Sequence, residues 1–201
     1  MISTEILFPT FIYFKDLPDS DKLNEHLFNC IKSWYEKDKT GVKRTNSGGW
    51  HSKTDMNHRP EYEPLIRELF LMLEECNKDQ GITNDVVLGN MWANINPPMS
   101  YNKTHIHPNS LWSGVYYVTA PKNSGDLFIE DPRPGPNINL PNKQENIPKS
   151  LWRVVNYTPK AGRLIMFPSW LPHGVNTNLN KEKGRKNLRI SVSFNFVIHN
   201  K

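Results

Sequence analysis

The chain has 201 residues, 37% hydrophobic and 11% aromatic, with a formal net charge of +5. That length holds one domain with a sizeable core, and the hydrophobic content excludes a disordered chain. The 25 basic side chains are interspersed with 20 acidic ones, a mixed and mildly positive surface that argues weakly for nucleic acid. Six Trp and sixteen Pro suggest a loop-rich β body rather than a helical bundle. Cys30 and Cys76 fall in helical patterns and look like buried free thiols, not a disulfide framework, which fits a reducing, cytoplasmic compartment. The opening "MISTEILFPTFIYF" lacks a basic segment and is interrupted by Glu5, Pro9 and Lys15, so it does not read as a signal peptide. No apolar run approaches membrane-spanning length.

In chain order, residues 5–15 read as a strand broken by a proline. Pro18, Asp19 and Ser20 offer a helix start, and Leu23, Leu27, Phe28, Ile31 and Trp34 then recur at helical spacing until the chain nears Gly41. A polar connector leads to a second helix with the stripe Leu65, Ile66, Leu69, Phe70, Leu73 and Cys76, closed by Gly81. From residue 86 the period changes to two. "DVVLGNMWANIN", "SLWSGVYYVTA", "DLFIEDP", "LWRVVNYTP", "AGRLIMFPSW" and "LRISVSFNFVI" read as strands, with a Pro- and Asn-rich loop over 132–149. Helices followed by strands, without alternation, predict an α+β, mainly β fold. A single domain spans 1–201, with an N-terminal strand and helices over 1–85 and a β core over 86–201. The helices are expected to cover one outer face.

The last strand has two distinct faces. Leu188, Ile190, Val192, Phe194 and Phe196 share one, and Arg189, Ser191, Ser193 and Asn195 the other. The apolar face suits the core, and the polar face suits an interior pocket. An arginine in such a pocket needs a carboxylate or phosphate partner. Two further features precede it. His105 and His107 share parity, so both imidazoles leave one face of an extended chain, and His173 follows "FPSWLP" at a corner between strands. Each is weak alone. His-x-His is more often not a metal site, a corner histidine often caps a turn, and lone histidines such as His51 and His58 are usually surface or hydrogen-bonded residues. The order histidine pair, distal histidine, arginine on the next strand is more specific.

The segments "GGWHS", "MWANINPP", "HIHPNSLWSGVYYV", "GDLFIEDPR", "PKAGRLIMFPSWLPHGV" and "LRISVSFNF" resemble the iron(II)- and 2-oxoglutarate-dependent oxygenases, and more closely a branch found in phages and marine bacteria. The resemblance implies a double-stranded β-helix, a cupin-like jelly roll with iron in its mouth. It implies His105 and His173 as metal ligands and Arg189 as the grip on the far carboxylate of 2-oxoglutarate. Ser191 lies on the same face, and Tyr117 matches a co-substrate tyrosine of the prolyl hydroxylases. Position 107 departs from the family, which usually has a carboxylate there. His107 completing a three-histidine site is favoured. A carboxylate from Glu130 or Asp131, or a site with two protein ligands, stays open.

The activity implied is a hydroxylase-type dioxygenase that couples decarboxylation of 2-oxoglutarate to succinate with oxidation of an unidentified substrate by dioxygen, in the cytoplasm (a host's cytoplasm if phage-encoded). Two alternatives compete: a three-histidine cupin-type dioxygenase that does not use 2-oxoglutarate, and a non-catalytic cupin-like binding module. The basic run Lys181, Lys183, Arg185 and Lys186 carries no interleaved aromatic residue and reads as a solvated loop rather than a nucleic-acid contact. Oligomeric state is not legible.

Overall fold

Strand β11 (Arg189–Ile198) organises the molecule. In the computed structural model, which describes residues 2–138 and 142–199, eleven strands form two antiparallel sheets. The larger sheet has the order β1 (Tyr13–Asp16), β9 (Arg163–Pro168), β6 (Trp112–Thr119), β11, β4 (Val86–Asn96) and β3 (Trp50–His51). The smaller runs β2 (Asn46–Ser47), β5 (Tyr101–His105), β10 (His173–Val175), β7 (Leu127–Glu130) and β8 (Val154–Tyr157). Sequential neighbours repeatedly fall in opposite sheets, the interleaving of a jelly roll.

Helices α1 (Asp21–Lys37) and α2 (Glu63–Gln80) pack on the outer face of the larger sheet. Leu27, Ile31 and Trp34 of α1 and Leu65, Leu69 and Leu73 of α2 join Ile190, Val192, Phe194 and Phe196 of β11 in one core. The amphipathic stripes therefore found the face they were patterned for. α2 ends where Gly81 takes φ 65°, a left-handed conformation, and donates its N–H back to the last turn. A second core lies between the sheets, where Val115, Tyr117, Ile165 and Phe167 meet Leu127 and Ile129. β6 is buried on both faces, with Tyr116 and Val118 toward the helices and Val115 and Tyr117 toward the other sheet. That explains its nearly unbroken apolar sequence.

Several elements differ from the sequence expectation. Of the predicted 5–15 strand only residues 13–15 are paired, in a strand that runs on to Asp16, because only there does a neighbouring edge, β9, supply hydrogen bonds. Ile6, Leu7 and Phe8 are exposed. Phe70 sits at the rim of the α2 stripe, 37% exposed, with its ring edge-on to Phe196. The polar connector holds two short strands. β3 is fixed by Trp50, whose indole N–H donates to the Asp38 carbonyl at 2.7 Å and whose ring packs edge-on against Trp34. β3 pairs with β4 and β2 with β5, so residues before 86 also build the sheets. The 132–149 loop contains a short helix, Gly135–Ile138, and residues 139–141 of it lie outside the described ones. In the basic run, the Arg185 and Lys186 side chains likewise lie outside the described set, and Lys181 and Lys183 are exposed. No described helix is long and apolar enough to cross a membrane.

Candidate metal and co-substrate site

The polar face of β11 looks inward. Arg189, Ser191, Ser193 and Asn195 line a cavity of about 440 Å³ between the sheets. His105 and His173, from the smaller sheet, and His107 line the same cavity. His105 ends β5 and His173 begins β10, and the two residues pair directly across the sheet. His173 is therefore a strand residue rather than a loop one. His107 lies two residues beyond β5 in the following loop, where its backbone N–H donates to the Ser169 carbonyl at 2.9 Å. One potential ligand atom from each histidine falls within 4.8 Å of the others.

His105 and His173 are oriented alike. Each donates its Nδ1–H to a backbone carbonyl two residues back, Lys103 at 2.7 Å and Leu171 at 2.8 Å. A carbonyl only accepts, so the proton is on Nδ1 and the Nε2 lone pair is free. His107 Nε2 lies 3.2 Å from His173 Nε2. Burial pulls His105 below the usual histidine value. Burial and the neighbouring His105 take His107 down to about 4 and His173 to about 3. All three are neutral imidazoles at neutral pH, the form that binds a divalent metal.

The other two candidate ligands are elsewhere. Asp131 forms a bidentate pair with Arg133, at 2.9 and 2.7 Å, which holds its carboxyl below the ordinary range. Glu130 accepts from Thr104 at 3.5 Å. Neither lines the cavity.

Arg189 is 1% exposed, yet no carboxylate pairs with it among the described residues. Its Nη1 donates to the carbonyls of Ser124 and Gly125, at 2.6 and 2.9 Å. Gly125 has φ 94°, and a Cβ there would lie 2.1 Å from the Asn176 carbonyl oxygen and 2.8 Å from Arg189 Nη1. Only glycine lets the chain come that close. Burial lowers the Arg189 pKa, Tyr117 and the Asp126 carboxylate act against it, and a cation so deep with no carboxylate in contact suits an anionic partner. Ser191 sits opposite Tyr117 in the β11–β6 register, and both line the cavity. Burial pushes the Tyr117 hydroxyl up to about 12, so it stays protonated. Asn96, opposite Arg189 on β4 and 1% exposed, has neither carboxamide atom hydrogen-bonded. Buried cation, hydroxyls and orphan amide fit a small dicarboxylate, and the three neutral imidazoles fit iron(II).

Sequence reasoning missed part of the wall. His51 is buried, donates Nδ1–H to the Ser52 carbonyl at 2.6 Å, and stacks on Trp92 at 5.4 Å. Trp92 in turn lies 5.8 Å from the His107 ring. Arg44, Asn90 and Asn94 also line the cavity. Period-two parity in "GNMWANIN" places Asn90, Trp92, Asn94 and Asn96 on one face, and that was the available signal.

A family model described as "Putative 2OG-Fe(II) oxygenase" matches residues 90–195, more than half of the chain. The chain belongs to the iron(II)- and 2-oxoglutarate-dependent oxygenases. The enzyme is thus an oxidoreductase whose cofactor is iron(II) and whose co-substrate is 2-oxoglutarate. The matched span includes His105, His107, Tyr117, His173, Arg189 and Ser191. No curated protein matches the oxygenase in sequence. Solved structures share its fold. A prolyl-4-hydroxylase from Pseudomonas putida is 15% identical, with a TM-score of 0.65 over 95% of this chain and 94% of that one. HygX from Streptomyces hygroscopicus, solved with nickel and 2-oxoglutarate, is 10% identical, with a TM-score of 0.64 over 94% and 83%. A viral collagen prolyl hydroxylase from Paramecium bursaria Chlorella virus-1, in complex with 2-oxoglutarate, is 13% identical, with a TM-score of 0.56 over 92% and 94%. At these identities the likeness is one of fold.

Proposed function

We propose that the oxygenase is a hydroxylase acting as one functional unit over residues 1–201, with His105, His107 and His173 as its metal ligands. Arg189, Ser191 and Tyr117 hold 2-oxoglutarate. The observation that carries the assignment is the buried Arg189, with no carboxylate in contact among the described residues, in the same cavity as the histidine triad. When bound, iron(II) with 2-oxoglutarate and dioxygen supplies the oxidising chemistry, yielding hydroxylated substrate, succinate and carbon dioxide.

The protein's own part is orientation and exclusion of water. The Lys103 and Leu171 carbonyls hold His105 and His173 with Nε2 directed into the site. Arg189, with Nη1 already anchored, offers its remaining N–H groups in a fixed plane to the distal carboxylate of the co-substrate. Tyr117 and Ser191 add neutral hydrogen-bond donors beside it. Among the described residues that line the cavity there is no Asp or Glu, which favours a neutral or anionic substrate over a cationic one. The two prolyl hydroxylases of similar fold are compatible with hydroxylation.

Calorimetric titration of 2-oxoglutarate into the manganese-loaded protein, followed by measurement of succinate release with iron(II) and dioxygen, tests the assignment. Binding and release are expected. Metal binding without any 2-oxoglutarate response would instead favour a three-histidine dioxygenase, in which Arg189 grips an acidic substrate.

A further inference from the structure

The three histidines are not held alike. His105 and His173 are fixed by backbone carbonyls, which admit one tautomer. His107 Nδ1 instead faces a side-chain amide, with Asn195 Nδ2 3.4 Å away. That amide is 4% exposed and sits in a row of polar side chains across three strands. Asn195 pairs with Asn90 on β4 and with Ser113 on β6. Asn195 Nδ2 donates to Asn90 Oδ1 at 2.8 Å, Ser113 Oγ donates to Asn195 Oδ1 at 2.7 Å, and Ser113 Oγ lies 2.8 Å from Ser169 Oγ.

Every member of this row is reversible. Carboxamides present oxygen or nitrogen by a half-turn, and hydroxyls rotate. With Asn195 Nδ2 toward His107, the imidazole proton must be on Nε2, directed at His173 Nε2. With Asn195 turned, its Oδ1 accepts from His107 Nδ1–H, and the His107 Nε2 lone pair faces the site. The remaining partners turn with it. Asn90 turns to donate its own amide to Asn195 Oδ1. Asn195 Nδ2 then donates to Ser113 Oγ, and Ser113 donates to Ser169. The turned arrangement leaves the Ser169 hydroxyl proton and one Asn195 amide proton without the acceptors they had, a cost that ligation of a metal by His107 Nε2 has to exceed.

We infer that Asn195 is the positioning residue that makes His107 a metal ligand, its carboxamide oxygen holding the imidazole proton on Nδ1, with Asn90 and Ser113 turning in concert. The inference rests on His107 being a ligand, as proposed above. It also bears on why position 107 tolerates histidine. A carboxylate ligand needs no tautomer, whereas a histidine here requires an acceptor behind it, and β11 supplies one.

The test uses the full chain and manganese(II) alone, titrated by calorimetry into the wild type, His107→Ala, Asn195→Leu and Asn195→Asp. Loss of an outer partner costs roughly 10–100-fold in metal affinity, and Asn195→Leu is expected to show that loss. Asn195→Asp is expected to retain affinity, because a carboxylate accepts from His107, from a turned Asn90 and from Ser113 at once. Zinc(II)-loaded wild type with ¹⁵N-labelled histidine, observed by NMR, reads the tautomer without any substitution. A proton on His107 Nδ1 supports the inference, and a proton on Nε2 overturns it. Wild-type affinity in Asn195→Leu, with affinity lost in His107→Ala, overturns the positioning role while leaving the ligand intact. Wild-type affinity in His107→Ala removes the ligand itself, and the inference falls with it.

Discussion

His173 on β10 lies directly opposite His105 on β5, with ring centroids 4.4 Å apart. Two histidines 68 positions apart are thus placed by a single row of sheet pairing. Strand register in a buried sheet is strongly specified, because a one-residue slip would turn every side chain to the other face. Both also use the same anchoring device, a carbonyl two residues back. His107, which lies beyond the strand end, has no backbone carbonyl holding its ring and contacts only side chains through its nitrogens.

His173→Ala is accordingly expected to weaken iron(II) or manganese(II) binding by at least the roughly 10–100-fold that loss of an outer partner costs. The fold should persist, because the change shortens one side chain on a cavity wall. Calorimetry for the metal and circular dichroism for the fold check it. Unchanged affinity would take His173 out of the site.

Arg189→Ala should leave metal affinity nearly unchanged and raise the apparent Michaelis constant for 2-oxoglutarate. Truncating one partner of a desolvated charge pair costs roughly 2–5 kcal/mol, a factor of tens to thousands. Arg189→Lys should recover only part of this, since an ammonium cannot reach both the Ser124 and Gly125 carbonyls and the carboxylate with a planar fork. Steady-state rates over a range of 2-oxoglutarate concentrations decide the matter, and indifference to both changes would sink the co-substrate role.

His107→Ala should weaken metal binding, whereas Asp131→Ala and Glu130→Ala should not. Asp131 is committed to Arg133 and Glu130 to Thr104. His107→Asp should keep the metal bound, as the shorter anionic ligand leaves the same face, and uncoupled 2-oxoglutarate turnover should rise. Metal affinities measured side by side separate the three ligand sets. Loss in Asp131→Ala or Glu130→Ala with none in His107→Ala would hand the position to that acid.

Acid should erode one contribution to stability that lies away from the site. Asp16 accepts from Arg163 and Lys160, which holds its carboxyl well below the ordinary value near 3.8. A carboxyl depressed in the folded state stabilises fully above its unfolded value. That contribution fades as pH falls below it, because the unfolded chain then binds the proton first. The group is 40% exposed, so screening limits the effect to roughly 1 kcal/mol. Asp16→Asn should therefore lower urea stability at pH 6 by about that amount, and the gap to wild type should narrow at pH 3. A gap independent of pH would exclude the linkage.

Phe194→Ala should destabilise by roughly 3–5 kcal/mol, the usual cost of removing a buried phenyl ring. Phe194 is 0% exposed in the helix-side core, on the opposite face of β11 from Ser193 and Asn195. Denaturant unfolding should register the loss, and metal affinity measured well below the midpoint should not. A matching loss of metal affinity would mean that the two faces of β11 are coupled.

Much of this molecule follows from local pattern. Two amphipathic helices, the change to period two at residue 86 and the divided faces of β11 could be read directly, because which side a residue faces is a property of the nearest few residues. Parity placed His105 with His107, and Arg189 with Ser191, Ser193 and Asn195. The conjunction of histidines and arginine carried the family. Nothing local could specify which distant strands pair. The seating of His173 against His105, the turn of His51 under Trp92, and the meeting of Asn195 with Asn90, Ser113 and His107 all depend on register between segments far apart in the chain. The short strands β2, β3 and β10 are of the same kind. Two or three residues are too few to show a period, and they are extended only because a longer neighbour offers them hydrogen bonds. Asp131 is held apart from the three histidines by a local contact, Arg133 closing on it from two residues away, whereas the convergence of the three imidazoles between the sheets is a tertiary matter.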